Sequence, residues 1–267
     1  MKRSKAQIIA TIGPSSQKFE TLVEMANHQM DVARLNFSWD TLEYHQKQIR
    51  IIREMSQKVG RYIPIIQDLP GPRIQEEHAH SYNMIATSAL TSRDFELVQF
   101  GVAQNVDYIA VSFVGSANDI LLCRDIIEKY GGKSKIIAKI ERKIALDLID
   151  EIIKVSDAIM VARGDLGNEI SLEEIPFAQA MIVKKCKEAG KPVIVATQML
   201  VSMMDSKVPT RSDVSDVSGA ILQGADAVML SEETALGKYP IETVEMMEKL
   251  VTAAEEHMGK TLHINSL

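Results

Sequence analysis

Lys139 and Glu141 stand two residues apart in Ala138-Lys139-Ile140-Glu141-Arg142, at the end of a run of β-forming residues. Asp165 follows the next such run, in Arg163-Gly164-Asp165-Leu166-Gly167. Side chains in a strand alternate faces, so Lys139 and Glu141 share one side. Two carboxylates at neighbouring strand ends repel one another, and a hard divalent ion, Mg2+ or Mn2+, takes such a pair. Lys139 then places a fixed cation beside that ion, and Arg34, from an earlier run, offers another. Metal, lysine and arginine together spread negative charge, as a phosphate or an enolate requires. Gly164 and Gly167 let the backbone approach a ligand, and their turn leads towards a helix start whose N–H groups suit a carboxylate.

Elements that could gather these residues recur along the chain. Short apolar runs at Gln7–Ile12, Val32–Phe37, Ile63–Asp68, Tyr108–Ser112, Lys135–Ile140, Ala158–Ala162, Val193–Thr197 and Ala227–Leu230 read as strands. Amphipathic stretches follow them, at Glu20–His28, Thr41–Val59, Ser92–Gln104, Ala117–Tyr130, Ile144–Val155, Leu172–Ala189, Ser212–Gln223 and Ile241–Met258. Glycines such as Gly60 and Gly224 close helical runs, and Pro240 sits at a helix start. Eight strand-helix units in 267 residues predict an α/β fold, a (β/α)8 TIM barrel in a single domain, over an open doubly wound sheet. Such barrels build their sites at the carboxyl ends of the strands. The residues there are Thr11 and Ser15, Asn36 and Ser38, Asp68, Ser112, Lys139 and Glu141, Arg163 and Asp165, Thr197, and Ser231 with Glu233. Each alone could be a strand-end cap; converging on one rim, they read as a site.

Composition narrows the partners. A net charge of −6 offers no basic stripe for nucleic acid or a membrane surface. Cys123 and Cys186 fall in helical stretches and read as buried, reduced thiols. The apolar run near the N-terminus is too short for a secretion signal, and no run approaches the ~20 residues of a membrane span, so a cytoplasmic protein is expected. That setting argues against Arg163-Gly164-Asp165 as an exposed adhesion tripeptide. Gly132-Lys133-Ser134 imitates the end of a phosphate loop, but Ile127 stands where the loop's first glycine belongs. Glu76, Glu77, His78 and His80 form a weaker candidate metal cluster.

The blocks TIGPSS, VARLNFS, DLPGP, AKIER, VARGDLG, ATQML, PTR and VMLSEETALGKYP resemble, in order and spacing over nearly the whole chain, the catalytic barrel of pyruvate kinase, its bacterial branch in particular. The resemblance implies phosphoryl transfer between phosphoenolpyruvate and ADP, giving pyruvate and ATP. It implies that Arg34, Asp68 and Lys139 hold the phosphoryl group, that Lys139 stabilises the enolate, and that Glu141 and Asp165 bind Mg2+ or Mn2+. The backbone of Arg163, Gly164 and Asp165 and the Thr197 hydroxyl would receive the substrate carboxylate, with Thr197 near the carbon to be protonated and Ser231 lining the same site. Asn36, Ser38 and Asp68 match ligands of a K+ ion, whose charge Arg73 could replace.

The departures from that family are specific. Its members carry a lid domain after the third strand and a regulatory domain after the barrel, whereas residues 1–259 read as barrel alone, with Gly71–Ser92 in the lid's place and 260–267 as a short tail. The lid lysine that touches the transferring phosphate has no counterpart, Gln75 replaces a phosphate-contacting arginine, and Trp39-Asp40 replaces the usual His-Gly. Phosphoryl transfer depends on positioning and charge neutralisation, so these losses predict impaired transfer, while the enolate machinery remains. A metal-dependent lyase acting on pyruvate enolates, such as an oxaloacetate decarboxylase or an aldolase, and a non-catalytic metabolite-binding barrel are the competing readings. SMMDSKVPTR resembles the family's subunit-contact region, from which a homo-oligomer is expected.

Overall fold

The computed structural model describes residues 3–75, 80–82 and 88–258. Among them, strands β1 (Gln7–Thr11), β2 (Val32–Asn36), β3 (Ile65–Asp68), β6 (Tyr108–Val111), β7 (Lys135–Ile140), β8 (Ala158–Ala162), β9 (Val193–Ala196) and β10 (Ala227–Leu230) close a parallel barrel in chain order. The ring is sealed where β1 pairs with β10, Gln7 opposite Ala227. The remaining strands, β4 (Arg73–Gln75) and β5 (His80–Tyr82), form a separate antiparallel ladder. This is the TIM barrel that the alternation of runs predicts, with strand ends displaced by no more than two residues.

The two-residue period of a strand sorts the side chains into an outer and an inner set. Outward residues such as Ile8, Leu35, Val111 and Val161 join the large core beneath the helices. Inward residues Ile9, Val32, Ile66, Ala110, Ile137, Met160, Ala196 and Met229 fill the barrel itself. Two positions further along the same inward series stand Thr11, Arg34, Asp68, Ser112, Lys139 and Ser231, all buried. The interior is therefore apolar at its foot and polar at its mouth.

Three stretches differ from the sequence expectation. The predicted helix Ile144–Val155 breaks at Leu148 into Lys143–Asp147 and Ile149–Val155, so each piece buries its own apolar side, Ala145 in the first and Ile149, Ile152 and Ile153 in the second. The predicted helix from Leu172 begins as a 3-10 turn, and the α-helix proper starts at Ile175, with Pro176 in its first turn, where a missing N–H costs nothing. The stretch Gly71–Ser92, in which the sequence predicts no strand, contains the β4–β5 ladder, with Arg73 opposite Tyr82. Residues 76–79 and 83–87 and the side chains of Gln75 and His80 lie outside the described residues, so the Glu76, Glu77, His78, His80 cluster and the Gln75 substitution do too, as does the tail 260–267.

The ladder docks on the rim through alternating cations and rings. Arg142 lies 3.9 Å from the centre of the Tyr82 ring, Tyr82 packs on Phe113 with centroids 5.5 Å apart, and Arg73 stands 5.9 Å from the Phe113 ring while its Nε donates to Pro70 O. Guanidinium faces attract ring faces, most strongly out of water.

Where β1 and β10 meet, the first and last loops are bound together. Thr11 Oγ1 donates to Leu230 O at 2.8 Å, Thr234 Oγ1 to Thr11 O at 2.9 Å, and Ser15 N to Ala235 O at 2.9 Å. A Cβ on Gly13 would lie 2.8 Å from both the Cβ and the carbonyl oxygen of Ala235. Gly13→Ala is therefore expected to force the seam apart and to lower stability by about 1–3 kcal/mol in denaturant unfolding, the usual cost of overpacking; an unchanged midpoint would show that the seam yields freely.

Candidate active site at the mouth of the barrel

The polar end of the inward series forms one connected network. Arg34 Nε donates to Asp68 Oδ2 at 2.7 Å, and its Nη1 to Thr11 Oγ1 at 2.8 Å. Lys139 Nζ donates to Asp68 Oδ1 at 3.0 Å and to Ser112 Oγ at 2.7 Å, and Ser112 Oγ donates onward to Leu69 O at 2.7 Å. Lys139 Nζ also lies 2.9 Å from Glu141 Oε1. Strands β2, β3, β6 and β7 are neighbours in the ring, which is why Arg34, Asp68, Ser112 and Lys139, from distant parts of the sequence, meet in one network.

Burial sets the electrostatics. It would drive Asp68 towards neutrality, but Arg34 and Lys139 outweigh it and hold the carboxyl below the usual aspartate range. Burial would likewise discharge Lys139, yet Asp68 and Glu141 hold its ammonium above the usual lysine range. Glu141 goes the other way: burial raises it, the Lys139 charge opposes this, and the Asp165 charge adds to the rise. Its Oε2 accepts the Phe113 N–H at 2.6 Å, whereas Oε1 is buried beside Lys139 with no donor in hydrogen-bonding alignment. A carboxylate oxygen in that state, under the influence of a second carboxylate, suits a divalent cation. Among the described residues, no group of three or more His, Cys, Asp or Glu side chains is placed to hold a metal ion by itself.

The K+ ligand set fits less well. Both Asp68 oxygens are engaged by cations, and Asn36 Oδ1 accepts the Ser38 N–H at 3.1 Å; Ser38 Oγ alone of these is buried without a partner. Arg73, half-buried against Phe113 and Pro70, acts on Lys139 as a like charge.

On the opposite side of the mouth, Arg163–Leu166 forms a single helical turn directly at the end of β8. Gly164 N donates to Thr197 Oγ1 at 2.8 Å, and Thr197 Oγ1 donates to Ala196 O at 2.7 Å. A Cβ on Gly164 would meet that hydroxyl at 3.4 Å, an ordinary van der Waals contact. The Arg163 guanidinium turns to β9 and the following helix: Nη2 donates to Thr197 O at 2.6 Å and Nη1 to Asp216 Oδ1 at 2.5 Å. Ser231 Oγ is buried without a partner, and Ser231 N donates to Glu233 Oε2 at 2.6 Å. The structure thus joins Arg34, Asp68, Lys139 and Glu141 directly and places Thr197 against Gly164. It directs the Arg163 side chain elsewhere. Sequence reasoning gave no role to Ser112, Glu233 or Asp216; the first two lie in the strand-end census, whereas Asp216 carries no signal before the helix Arg211–Gln223 is folded against Arg163. Cys123 and Cys186 are buried, and burial pushes both thiols up to about 12, leaving them inert.

A family described as "Pyruvate kinase, barrel domain" matches residues 3–85 and 79–244, two segments that meet at 79–85. The chain is 37% identical to a pyruvate kinase of Thermococcus litoralis over 95% of its own length and 70% of that protein's. It is 35% identical to one of Bacillus licheniformis (96% and 58%) and 34% identical to one of Dictyostelium discoideum (94% and 66%). Identities so similar across such different organisms single out no bacterial branch. The chain thus spans between 58% and 70% of the length of these relatives. The aligned span with the first, 333 positions, exceeds the 267 residues of this chain, so that relative carries an internal stretch without a counterpart here.

Two outcomes follow. Asp68→Asn removes the anion from between two buried cations and is expected to lower stability by about 3–5 kcal/mol in denaturant unfolding; a loss under about 1 kcal/mol would mean the cations find other partners. Because Glu141 titrates above the usual glutamate range and must be ionised to hold a cation, Mg2+ binding followed by calorimetry is expected to weaken on acidification before that range is reached. Glu141→Gln should abolish both the binding and its pH dependence, and an affinity insensitive to pH would contradict the assignment.

Proposed function

The chain belongs to the pyruvate kinase family, whose barrel domain it carries, and on that premise we propose that its barrel mouth converts phosphoenolpyruvate and ADP to pyruvate and ATP, with the enolate half better provided for than the phosphoryl transfer. The supporting observation is Lys139, kept charged in a buried position between Asp68 and Glu141, with Arg34 on the far side of Asp68. In this reading Arg34 and Lys139 face the phosphoryl group and Lys139 faces the enolate oxygen. As the P–O bond to that oxygen breaks and the phosphoryl group passes to ADP, the ammonium offsets the charge left behind. Preorganised cations in a site shielded from water act most strongly on charge that develops during reaction. The methylene carbon then takes a proton on the side where Thr197 stands, and the substrate carboxylate lies by the Arg163–Leu166 turn and Ser231. Mg2+ or Mn2+, bound by Glu141 and Asp165, would supply Lewis-acid polarisation of substrate oxygens.

We propose residues 1–259 as the catalytic barrel, with the connection 71–92 and its ladder in place of a lid, and 260–267 as a tail. The meeting of the two matched segments at 79–85 and the internal stretch extra to the relative support this division. Without a lid, ADP meets an open mouth, and transfer to it is slow. The same network serves a second reaction class, metal-dependent cleavage of oxaloacetate or of an aldol adduct to the pyruvate enolate. This reading is supported by the completeness of the Arg34, Asp68, Lys139 and Glu141 network within the barrel alone. Among the described residues no helix is long and apolar enough to cross a membrane, and the proposed setting is the cytoplasm. A homo-oligomer through Ser202–Arg211 is part of the proposal, supported by the exposed Val208.

The test has two arms: ADP-dependent pyruvate formation in a coupled assay, and exchange of the pyruvate methyl protons with D2O in the presence of Mg2+, followed by NMR. Exchange is expected in the wild type and a loss of about 10²–10³-fold in Lys139→Met, the scale of a lost stabiliser of developing charge. Exchange without ADP-dependent turnover would select the lyase reading, to be checked with oxaloacetate. Neither exchange nor turnover, with Mg2+ bound, would leave a metabolite-binding barrel.

A further inference from the structure

Thr197 and Gln198 have φ of 68° and 54°, two consecutive non-glycine residues in the left-handed region. For a β-branched residue such as Thr197 that conformation is strained and persists only when its surroundings impose it. The surroundings here are two opposed charges. On the carbonyl side, Arg163 Nη2 donates to Thr197 O at 2.6 Å and to Gln198 O at 3.1 Å, and lies 2.8 Å from Met199 Sδ. On the amide side, Glu233 Oε1 accepts the N–H groups of Met199 at 3.2 Å and Leu200 at 3.1 Å. The guanidinium is anchored in turn by Asp216 Oδ1, and the Glu233 carboxylate by Ser231 N. Both Arg163 and Glu233 are buried.

We infer that Arg163 and Glu233 are positioning residues, a cation and an anion that grip the Thr197–Leu200 turn from its carbonyl and amide sides and so fix where the Thr197 hydroxyl stands. The planar fork of the guanidinium suits this task, because its Nη2 meets two successive carbonyl oxygens that converge on it while its Nη1 is held by Asp216. The grip also explains why Arg163 follows β8 directly: its backbone starts the turn that carries Gly164, its side chain reaches across to β9, and the Gly164 N–H closes the circuit on Thr197 Oγ1. A neutral or shorter side chain at either position frees the turn to relax towards ordinary backbone angles, and the hydroxyl moves with it.

The inference rests on the proposed enolate chemistry for its kinetic readout only. Pyruvate proton exchange is measured for Arg163→Met, Thr197→Ala and the double variant, with Asp216→Asn as a milder change, since the Asp216 side chain is 36% exposed and its loss leaves the guanidinium in place. Arg163→Met is expected to lower the rate at saturating pyruvate by about 10²-fold, as a misplaced group does, with KM changed less than about threefold. On the Thr197→Ala background it should lower the rate less than about twofold, because Arg163 acts through the hydroxyl already removed. Asp216→Asn should lower the rate in the same direction but by less, and Arg163→Lys should recover part of the loss. An equal loss from Arg163→Met on both backgrounds, or a fall in thermal stability with no change in rate, would overturn the inference. A wild type without exchange would defeat the proposed chemistry instead, and amide hydrogen exchange then decides: loss of Gly164 protection in both Arg163→Met and Thr197→Ala supports the grip, and retained protection in Arg163→Met overturns it. Should Arg163→Met not fold, the same comparisons are read from Asp216→Asn and Glu233→Gln.

Discussion

Asp68 is an anion shared by two cations that the barrel interior would not otherwise tolerate. Arg34 and Lys139 enter from β2 and β7 and converge on the two oxygens of one carboxylate. A buried charge without a partner is far more costly than a buried pair, so each of the three groups constrains where the others sit. The strand register follows the same demand: Asn36 stands opposite Asp68 across the β2–β3 ladder and Asp68 opposite Ala110 across β3–β6, while Val111 stands opposite Ala138 across β6–β7, which brings the next residues, Ser112 and Lys139, within reach of one another. Ordered in this way, the mouth of the barrel holds its polar groups in place before any ligand arrives.

The two sides of the mouth differ in how they hold their groups. Around Asp68, side chains bind side chains, and the geometry is set by charge. Around Thr197, charged side chains bind backbone, and the geometry is set by dihedral angles that the chain would not adopt alone. The proposed reaction, in which an anionic substrate is bound and a carbon then protonated, would gain from the division, because the charge-bearing side can polarise while the backbone-held side keeps direction.

The barrel was legible in the sequence because alternation of strand and helix is a repeated, local signal; the strands Lys135–Ile140, Ala158–Ala162 and Ala227–Leu230 fall where the sequence places them. Lys139 and Glu141 were legible as a pair for the same reason, since a period of two is enough to put them on one face. The direction of the Arg163 side chain was not, because it depends on Asp216 from a helix far along the chain and on the left-handed carbonyls of Thr197 and Gln198. Nor was the ladder Arg73–Gln75 with His80–Tyr82, whose apolar content is too low for a strand pattern and which is held by stacking on Phe113 and Arg142 rather than by a core. Local periodicity reports what an element buries; it carries no record of cations reaching across the fold.

The antiparallel pairing of Arg73 with Tyr82 has a topological consequence. Chain that leaves the barrel rim along β4 returns along β5 beside its own point of departure, one strand spacing away. Whatever is carried between the two strands, whether a few residues or a folded unit, imposes no new closure on the ring of eight. The rim thus works as a socket, in which the length and content of the insert are free variables and only the spacing of its two ends is prescribed.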